Sequence, residues 1–141
     1  MEQVNWQIKE FNALTTQELY AILQLRNEVF IIEQQCIYQD VDGKDTKCLH
    51  LMGWKDTILA AYTRLVPPGI SFTEAAIGRV VTSPKFRASG LGRALMLQSI
   101  HLIYLQWGKQ PIRIGAQLYL STFYESIGFV VDSAGYLEDG I

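Results

Sequence analysis

Ser83-Pro84-Lys85-Phe86-Arg87-Ala88-Ser89-Gly90-Leu91-Gly92-Arg93-Ala94-Leu95-Met96 is the stretch whose reading decides the fold. Before it, Ala75-Ala76-Ile77-Gly78-Arg79-Val80-Val81-Thr82 is a β-like apolar run. After it, from Gly90 to about Tyr104, the apolar pattern is helical. A strand therefore feeds a glycine-bearing loop, and the loop opens a helix. The first turn of a helix carries N–H groups without intrahelical partners, at the positive end of the helix dipole. Gly90 and Gly92 lack a Cβ and let an anion approach the backbone, while Arg87 and Arg93 add positive charge. This chemistry predicts a phosphate-bearing ligand.

What the loop lacks narrows the ligand. A P-loop ends in Gly-Lys-Ser/Thr, but Gly92 is followed by Arg93-Ala94. A dinucleotide fingerprint needs a third glycine three residues on, where Leu95 stands. The pattern that fits is Arg-x-x-Gly-x-Gly, as Arg87, Gly90 and Gly92. It resembles the pyrophosphate loop of the GNAT superfamily of acetyl-CoA-dependent N-acyltransferases. Downstream, Phe123-Tyr124-Glu125-Ser126-Ile127-Gly128-Phe129 is similar to that superfamily's helix-to-strand signature ending in Gly-Phe. Within the superfamily the chain resembles the ElaA-like group over nearly its whole length. The residues concerned are Arg26-x-x-Val29-Phe30-x-x-Glu33-Gln34, Asp42-x-x-Asp45-x-x-x-x-His50, Gly78-Arg79-Val80, Ala116-Gln117 and Glu138-Asp139-Gly140-Ile141. That group continues past Gly-Ile into a further strand with a His. This chain stops at Ile141, so the last strand is expected to be missing or truncated.

Composition sets the bounds. The 141 residues suit one domain, residues 1–141, and 49% hydrophobic against 18% charged residues is a globular balance. A net charge of −2 and a pI near 5.6 argue against nucleic acid as partner. Cys36 and Cys48 form no metal-spaced set and are expected to be free thiols in a reducing compartment. The N-terminus has no basic stretch followed by an apolar run, and no segment reaches membrane-spanning length. The expectation is a cytoplasmic protein, monomer or homodimer, with no metal, no nucleic acid and no membrane partner.

Along the chain, Val4, Trp6 and Ile8 alternate with polar residues, the pattern of a half-buried strand. Thr15 with Glu18 three residues later reads as a capping box. The following helix places Leu19, Ile22, Leu23 and Val29 on one face, with Arg26 among them. A charge there requires a partner, expected from an acidic residue of a neighbouring loop. The pattern is lost from Ile31 to Lys47. There Asp40, Asp42 and Asp45 lack the closing Glu of a calcium loop and read as a solvated turn. A substrate-facing loop for a cationic amine is the functional alternative. Cys48–Trp54 and Thr57–Val66 read as a hairpin, and strand 75–82 follows. The helix after the phosphate loop is apolar on several sides and is expected to be packed on the sheet and covered. Ile112–Ala116 is a strand, Leu120–Ile127 a short helix with Gly128 after it, and Phe129–Val131 a last strand. The order predicts an α/β sandwich with a central mixed β-sheet flanked by helices.

The resemblance implies site roles. The backbone of Val80, Val81 and Thr82 would bind the pantetheine arm of acetyl-CoA, with one N–H able to polarise the thioester carbonyl. Arg87, Ala88, Ser89, Gly90, Leu91, Gly92 and Arg93 would hold the pyrophosphate, and Gln117 would contact the cofactor. Tyr124 matches the superfamily's general acid; a phenol of pKa about 10 is protonated at neutral pH and able to protonate a departing thiolate. The acceptor would be an amine, which must lose a proton before attack. Glu33 and His50 are the candidate bases, beside water-mediated deprotonation. Glu33 has the alternatives of capping a loop or pairing with Arg26, and His50 that of a satisfied core residue. Two classes follow: an N-acetyltransferase, or a non-catalytic acyl-CoA-binding module used for sensing.

Overall fold

A computed structural model describes residues 3–87, 89–114, 121–132 and 135–138. Strand β1 (Asn5–Glu10) leads to helix α1 (Thr16–Arg26), which runs directly into a π-helical segment (Asn27–Glu33). Strands β2 (Leu49–Lys55) and β3 (Ile58–Val66) form the hairpin, and β4 (Ala75–Thr82) follows. Helix α2 (Leu91–Trp107), β5 (Ile112–Ile114), α3 (Ser121–Glu125), β6 (Phe129–Asp132) and β7 (Gly135–Glu138) complete the order. The expected α/β sandwich with a mixed sheet is what forms. Seven strands lie in the order β1-β2-β3-β4-β5-β7-β6. Among the described residues only β4 and β5 pair in parallel, so the chain crosses between them through α2.

Local chemistry starts α1 as the sequence predicts. Thr15 Oγ1 accepts from the Glu18 N–H at 3.0 Å, and the Glu18 carboxylate accepts from the Thr15 N–H at 2.9 Å. Lys9 Nζ lies 2.9 Å from the same carboxylate and ties β1 to the helix. Packing then divides between the two faces of the sheet. On one, Ile22, Leu25 and Val29 meet Met52, Leu59, Tyr62 and Val81. On the other, Met96, Ile100 and Ile103 of α2 meet Leu65, Ala75, Ile77, Ile112 and Ile114. Ser99 joins this second interface through a buried 2.8 Å hydrogen bond to Thr63. Trp6 packs so closely on β2 that a Cβ on Gly53 would sit 2.7 Å from its ring.

Four expectations need correction. Ile8 is 36% exposed, because β1 is an edge strand with little above it at that end. Helix α2 is covered on one side only: Leu97 and Leu105 face solvent, since the sheet supports just the stripe through Leu95 and Ile103. Six strands were expected; the seventh, Gly135–Glu138, pairs between β5 and β6. The Asp40–Asp45 stretch is not a solvated turn, for reasons given next. Residues 115–116 of the expected strand, and 139–141, lie outside the described residues. Cys36 is exposed and Cys48 buried, both as free thiols. Burial pushes the Cys48 thiol up to about 11, so it stays protonated and unreactive at neutral pH.

Candidate active site

Three arginines and three aspartates form a cluster that packs against β4. Arg26 is fully buried, and it donates from Nε to Asp40 (2.8 Å) and from Nη1 to Asp45 (2.9 Å). Arg64 donates from Nη1 and Nη2 to the two oxygens of Asp42 (2.8 and 3.0 Å) and from Nη1 to Asp45 (3.1 Å). Arg79 donates from Nε to Asp40 (2.8 Å) and from Nη2 to the Asp40 carbonyl (2.9 Å). The partner expected for Arg26 is therefore present. The acids that looked like a solvated turn are bound to cations, because helix α1 and two strands each send an arginine into the loop. Burial works against the Asp42 charge, but the Arg64 hydrogen bonds outweigh it and hold the carboxyl far below the usual range. The same balance lowers Asp45, with Arg26 as the main counterweight to burial. All three carboxylates are bound by arginines.

This cluster shapes β4. The β3–β4 register shifts between Tyr62 and Arg64: Tyr62 pairs with Val81 and Arg64 with Gly78. Arg79 and Val80 thus oppose the single residue Thr63, which is a β-bulge. Arg79 sits at φ +52, a left-handed conformation costly for a non-glycine residue. Its hydrogen bonds to Asp40 hold it there. Among the described residues the β4–β5 ladder runs only from Ala75–Ile112 to Ile77–Ile114. The second half of β4, with Val80, Val81 and Thr82, borders a cleft of about 600 Å³, a volume that suits a small-molecule or cofactor site.

The phosphate loop forms one end of this cleft. Gly90 caps α2 at φ +76, and no atom lies within 4 Å of where its Cβ would be. The approach to the helix N-terminus is thus open. Leu91 is buried in the core, so its backbone alone is available to a ligand. Gly92 and Arg87 line the cleft. Ser89 Oγ donates to the Phe86 carbonyl at 2.7 Å and stays exposed, while Arg93 points to Ser126 Oγ at 3.5 Å. Ala88 and Gln117 lie outside the described residues. An open glycine-capped helix start, a neighbouring guanidinium and a strand edge along one cleft fit a donor with a diphosphate and an amide-bearing arm.

Tyr124 lines the same cleft from α3 while only 5% exposed. Phe123 and Phe129 hold its ring edge-on, at centroid distances of 5.1 and 6.2 Å. The third wall is the π-helical segment. Its bonds skip five residues, as in Gln34 N–H to Val29 O at 3.0 Å. This rotates Val29, Glu33 and Gln34 into the cleft. Val29, Gln34 and Phe123 carry no predicted role. No apolar periodicity announces a π turn, although Val29, Gln34 and Phe123 all fall inside quoted motifs.

The two candidate bases part company. Glu33 is at the cleft mouth with its carboxylate on Arg87, Nη1 to Oε2 and Nη2 to Oε1 both at 2.7 Å. Those hydrogen bonds lower its pKa, so in this arrangement it is a weak base. It pairs with Arg87 and not with Arg26. His50 is buried away from the cleft with both ring nitrogens engaged, Nδ1 on Tyr62 Oη (2.6 Å) and Nε2 on the Asp45 carbonyl (2.8 Å). Burial also lowers its pKa. The structure therefore gives His50 the place of a satisfied core residue. Among the described residues no cluster of three or more His, Cys, Asp or Glu is placed to hold a metal ion, and no helix is long and apolar enough to cross a membrane.

Comparison with known proteins agrees with this geometry. Residues 11–141 match the family described as the acetyltransferase (GNAT) domain. Protein ElaA of Escherichia coli is 39% identical over 140 residues, covering 98% of this chain and 92% of that protein. Its crystal structure superposes with a TM-score of 0.86 over 96% of both chains. An acyl-CoA N-acyltransferase from Pseudomonas aeruginosa superposes with a TM-score of 0.88 at 42% identity, over 92% of this chain and 90% of that one. A PaiA N-acetyltransferase from Thermoplasma acidophilum, solved with coenzyme A, shares the fold at 17% identity and a TM-score of 0.65, over 94% and 96% of the two chains. Matched over residues 11–141 by this domain and over nearly its full length by ElaA, the chain belongs to the GNAT acetyltransferase family, in the ElaA-like group.

Proposed function

We propose that the protein transfers an acetyl group from acetyl-CoA to a primary amine of a small molecule or peptide, by direct attack within a ternary complex. One observation carries the reading: the Val80–Thr82 strand edge, Arg87, Gly92 and Tyr124 all border the same cleft. The donor supplies an acyl group activated as a thioester. Val80, Val81 and Thr82 extend β4 towards its pantetheine arm, and a backbone N–H there stabilises negative charge developing on the carbonyl oxygen. Arg87 and the first-turn N–H groups of α2 bind the pyrophosphate, with Ala88, Ser89 and Arg93 flanking them. Tyr124 gives its phenolic proton to the sulfur of the leaving thiolate. The fixed ring between Phe123 and Phe129 orients that hydroxyl.

The test combines binding and turnover. Acetyl-CoA should raise the melting temperature well above any shift from ATP or NAD. Amines of several kinds, including polyamines, amino sugars, amino acids and peptides, are then screened for release of the CoA thiol. With an acceptor in hand, Tyr124→Phe should cut turnover by roughly 10²–10⁴-fold with little change in acetyl-CoA affinity. Full activity in Tyr124→Phe removes the tyrosine from the mechanism. Firm acetyl-CoA binding with no turnover on any amine points to the sensing module.

A further inference from the structure

Among the described residues, the charged side chains that line the cleft are Glu33 and Arg87. They neutralise each other through two parallel 2.7 Å hydrogen bonds, the fork-to-fork geometry of a guanidinium on a carboxylate. The pair joins positions 54 residues apart, the end of the π-helical segment and the loop entering α2. The side chains are 40% and 41% exposed, so water screens them and the pair does little to hold the fold. The nearby acids Asp40, Asp42 and Asp45 are committed to Arg26, Arg64 and Arg79. Among the described residues, Glu33 is thus the carboxylate that lines the cleft.

A pair of ligands carrying one diphosphate and one ammonium matches the two halves of this ion pair. We propose that Glu33 is the subsite for the ammonium group of the acceptor, and that Arg87 masks it until the donor's diphosphate takes the guanidinium. The inference rests on the acetyl-transfer reading and adds a substrate class to it, amines that arrive as cations. Arg87 gains by the exchange. It exchanges the screened Glu33 carboxylate for a more highly charged anion that the α2 N-terminus also attracts. Glu33 is left with its charge facing the cleft and attracts a cation. Donor therefore precedes acceptor, and each raises the affinity of the other, because such coupling is reciprocal.

Calorimetric titration tests both halves without turnover. CoA, which has no acetyl group to transfer, is titrated into the wild type and Glu33→Gln. Removing the carboxylate takes away the pairing that competes with the diphosphate for Arg87, so Glu33→Gln should bind CoA about twofold to fivefold more tightly. Next, 1,4-diaminobutane is titrated into each protein with and without saturating CoA. It should bind CoA-loaded wild type about tenfold or more tightly than the free wild type, and CoA should bring no such gain in Glu33→Gln. Equal or weaker CoA affinity in Glu33→Gln overturns the mask. Diamine binding that is absent, or indifferent to CoA or to Glu33, overturns the subsite. Failure of the acetyl-transfer reading looks different: all the binding effects appear, yet no amine is acetylated.

Discussion

Replacing Asp45 by Asn tests whether the arginine–aspartate cluster holds the β4 region together. Asp45 Oδ1 accepts from Arg26 Nη1 at 2.9 Å and from Arg64 Nη1 at 3.1 Å. Its side chain is 8% exposed, and those of Arg26 and Arg64 are 1% and 5% exposed. An amide of the same shape keeps one acceptor oxygen but removes the charge that two buried guanidiniums share. Breaking a buried pair costs about 3–5 kcal/mol. Asp40 still holds Arg26 and Asp42 still holds Arg64, so the lower end applies, about 3 kcal/mol. Unfolding entropy of about 2.1 cal/mol/K per residue, over 141 residues, gives about 0.3 kcal/mol/K. The melting temperature at pH 7 should therefore fall by about 10 °C by scanning calorimetry. The pH dependence has a defined sign. Burial opposes the Asp45 charge, the Arg26 bonds outweigh that, and the native pKa is depressed. A depressed carboxyl stabilises the fold fully above its unfolded pKa of about 3.9, and that contribution is lost as pH falls through the native value. The gap between wild type and Asp45→Asn should thus be widest at neutral pH and close below about pH 4. Equal melting temperatures at pH 7, or a gap that acid leaves unchanged, would refute the reasoning.

Gly90→Asp should abolish CoA binding in calorimetry while the circular-dichroism spectrum stays native. A Cβ there meets nothing within 4 Å, so φ +76 is the only local strain, while the carboxylate repels the pyrophosphate at the α2 N-terminus. Normal CoA affinity in the folded variant would place the phosphate site elsewhere. Tyr62→Phe removes the hydroxyl that contacts His50 Nδ1 at 2.6 Å. An unsatisfied buried nitrogen costs about 1–3 kcal/mol, so urea denaturation should show that loss with CoA affinity unchanged. Unaltered stability would mean that this bond does not matter to the core.

Much of the fold is legible because short-range chemistry specifies it. Thr15 and Glu18 form their capping box within four residues. Ala75–Thr82 carries a strand pattern and folds as a strand over those same residues. Gly90 marks the start of α2 because few other residues take φ +76 without strain. What escaped the reading is of another kind. The π-helical turn after Arg26 has no side-chain signature, because it depends on which carbonyl each N–H meets. Ile8 alternates like a buried residue but lies on an edge strand, where it is only partly covered.

The site divides along the same line. Arg87, Gly90, Gly92 and Tyr124 are visible as motifs, because the anion chemistry of a helix start and the resemblance around Tyr124 are written in neighbouring residues. Distances between separate elements are not. Sequence offers both Glu33 and His50 as bases, with His50 leaning to a core residue and Arg26 as a possible partner for Glu33. Only the packed chain separates them. It places Arg87, 54 positions away, on the Glu33 carboxylate, and it shuts His50 between Tyr62 and the Asp45 carbonyl. Likewise Asp40, Asp42 and Asp45 read as water-facing until helix α1, β3 and β4 each bring an arginine to them. A charge's partner is decided by long-range packing, since a buried ion is tolerated only where the fold delivers its counter-ion. The residue types and their local geometry were therefore determined by sequence, and their roles in the cleft by tertiary structure.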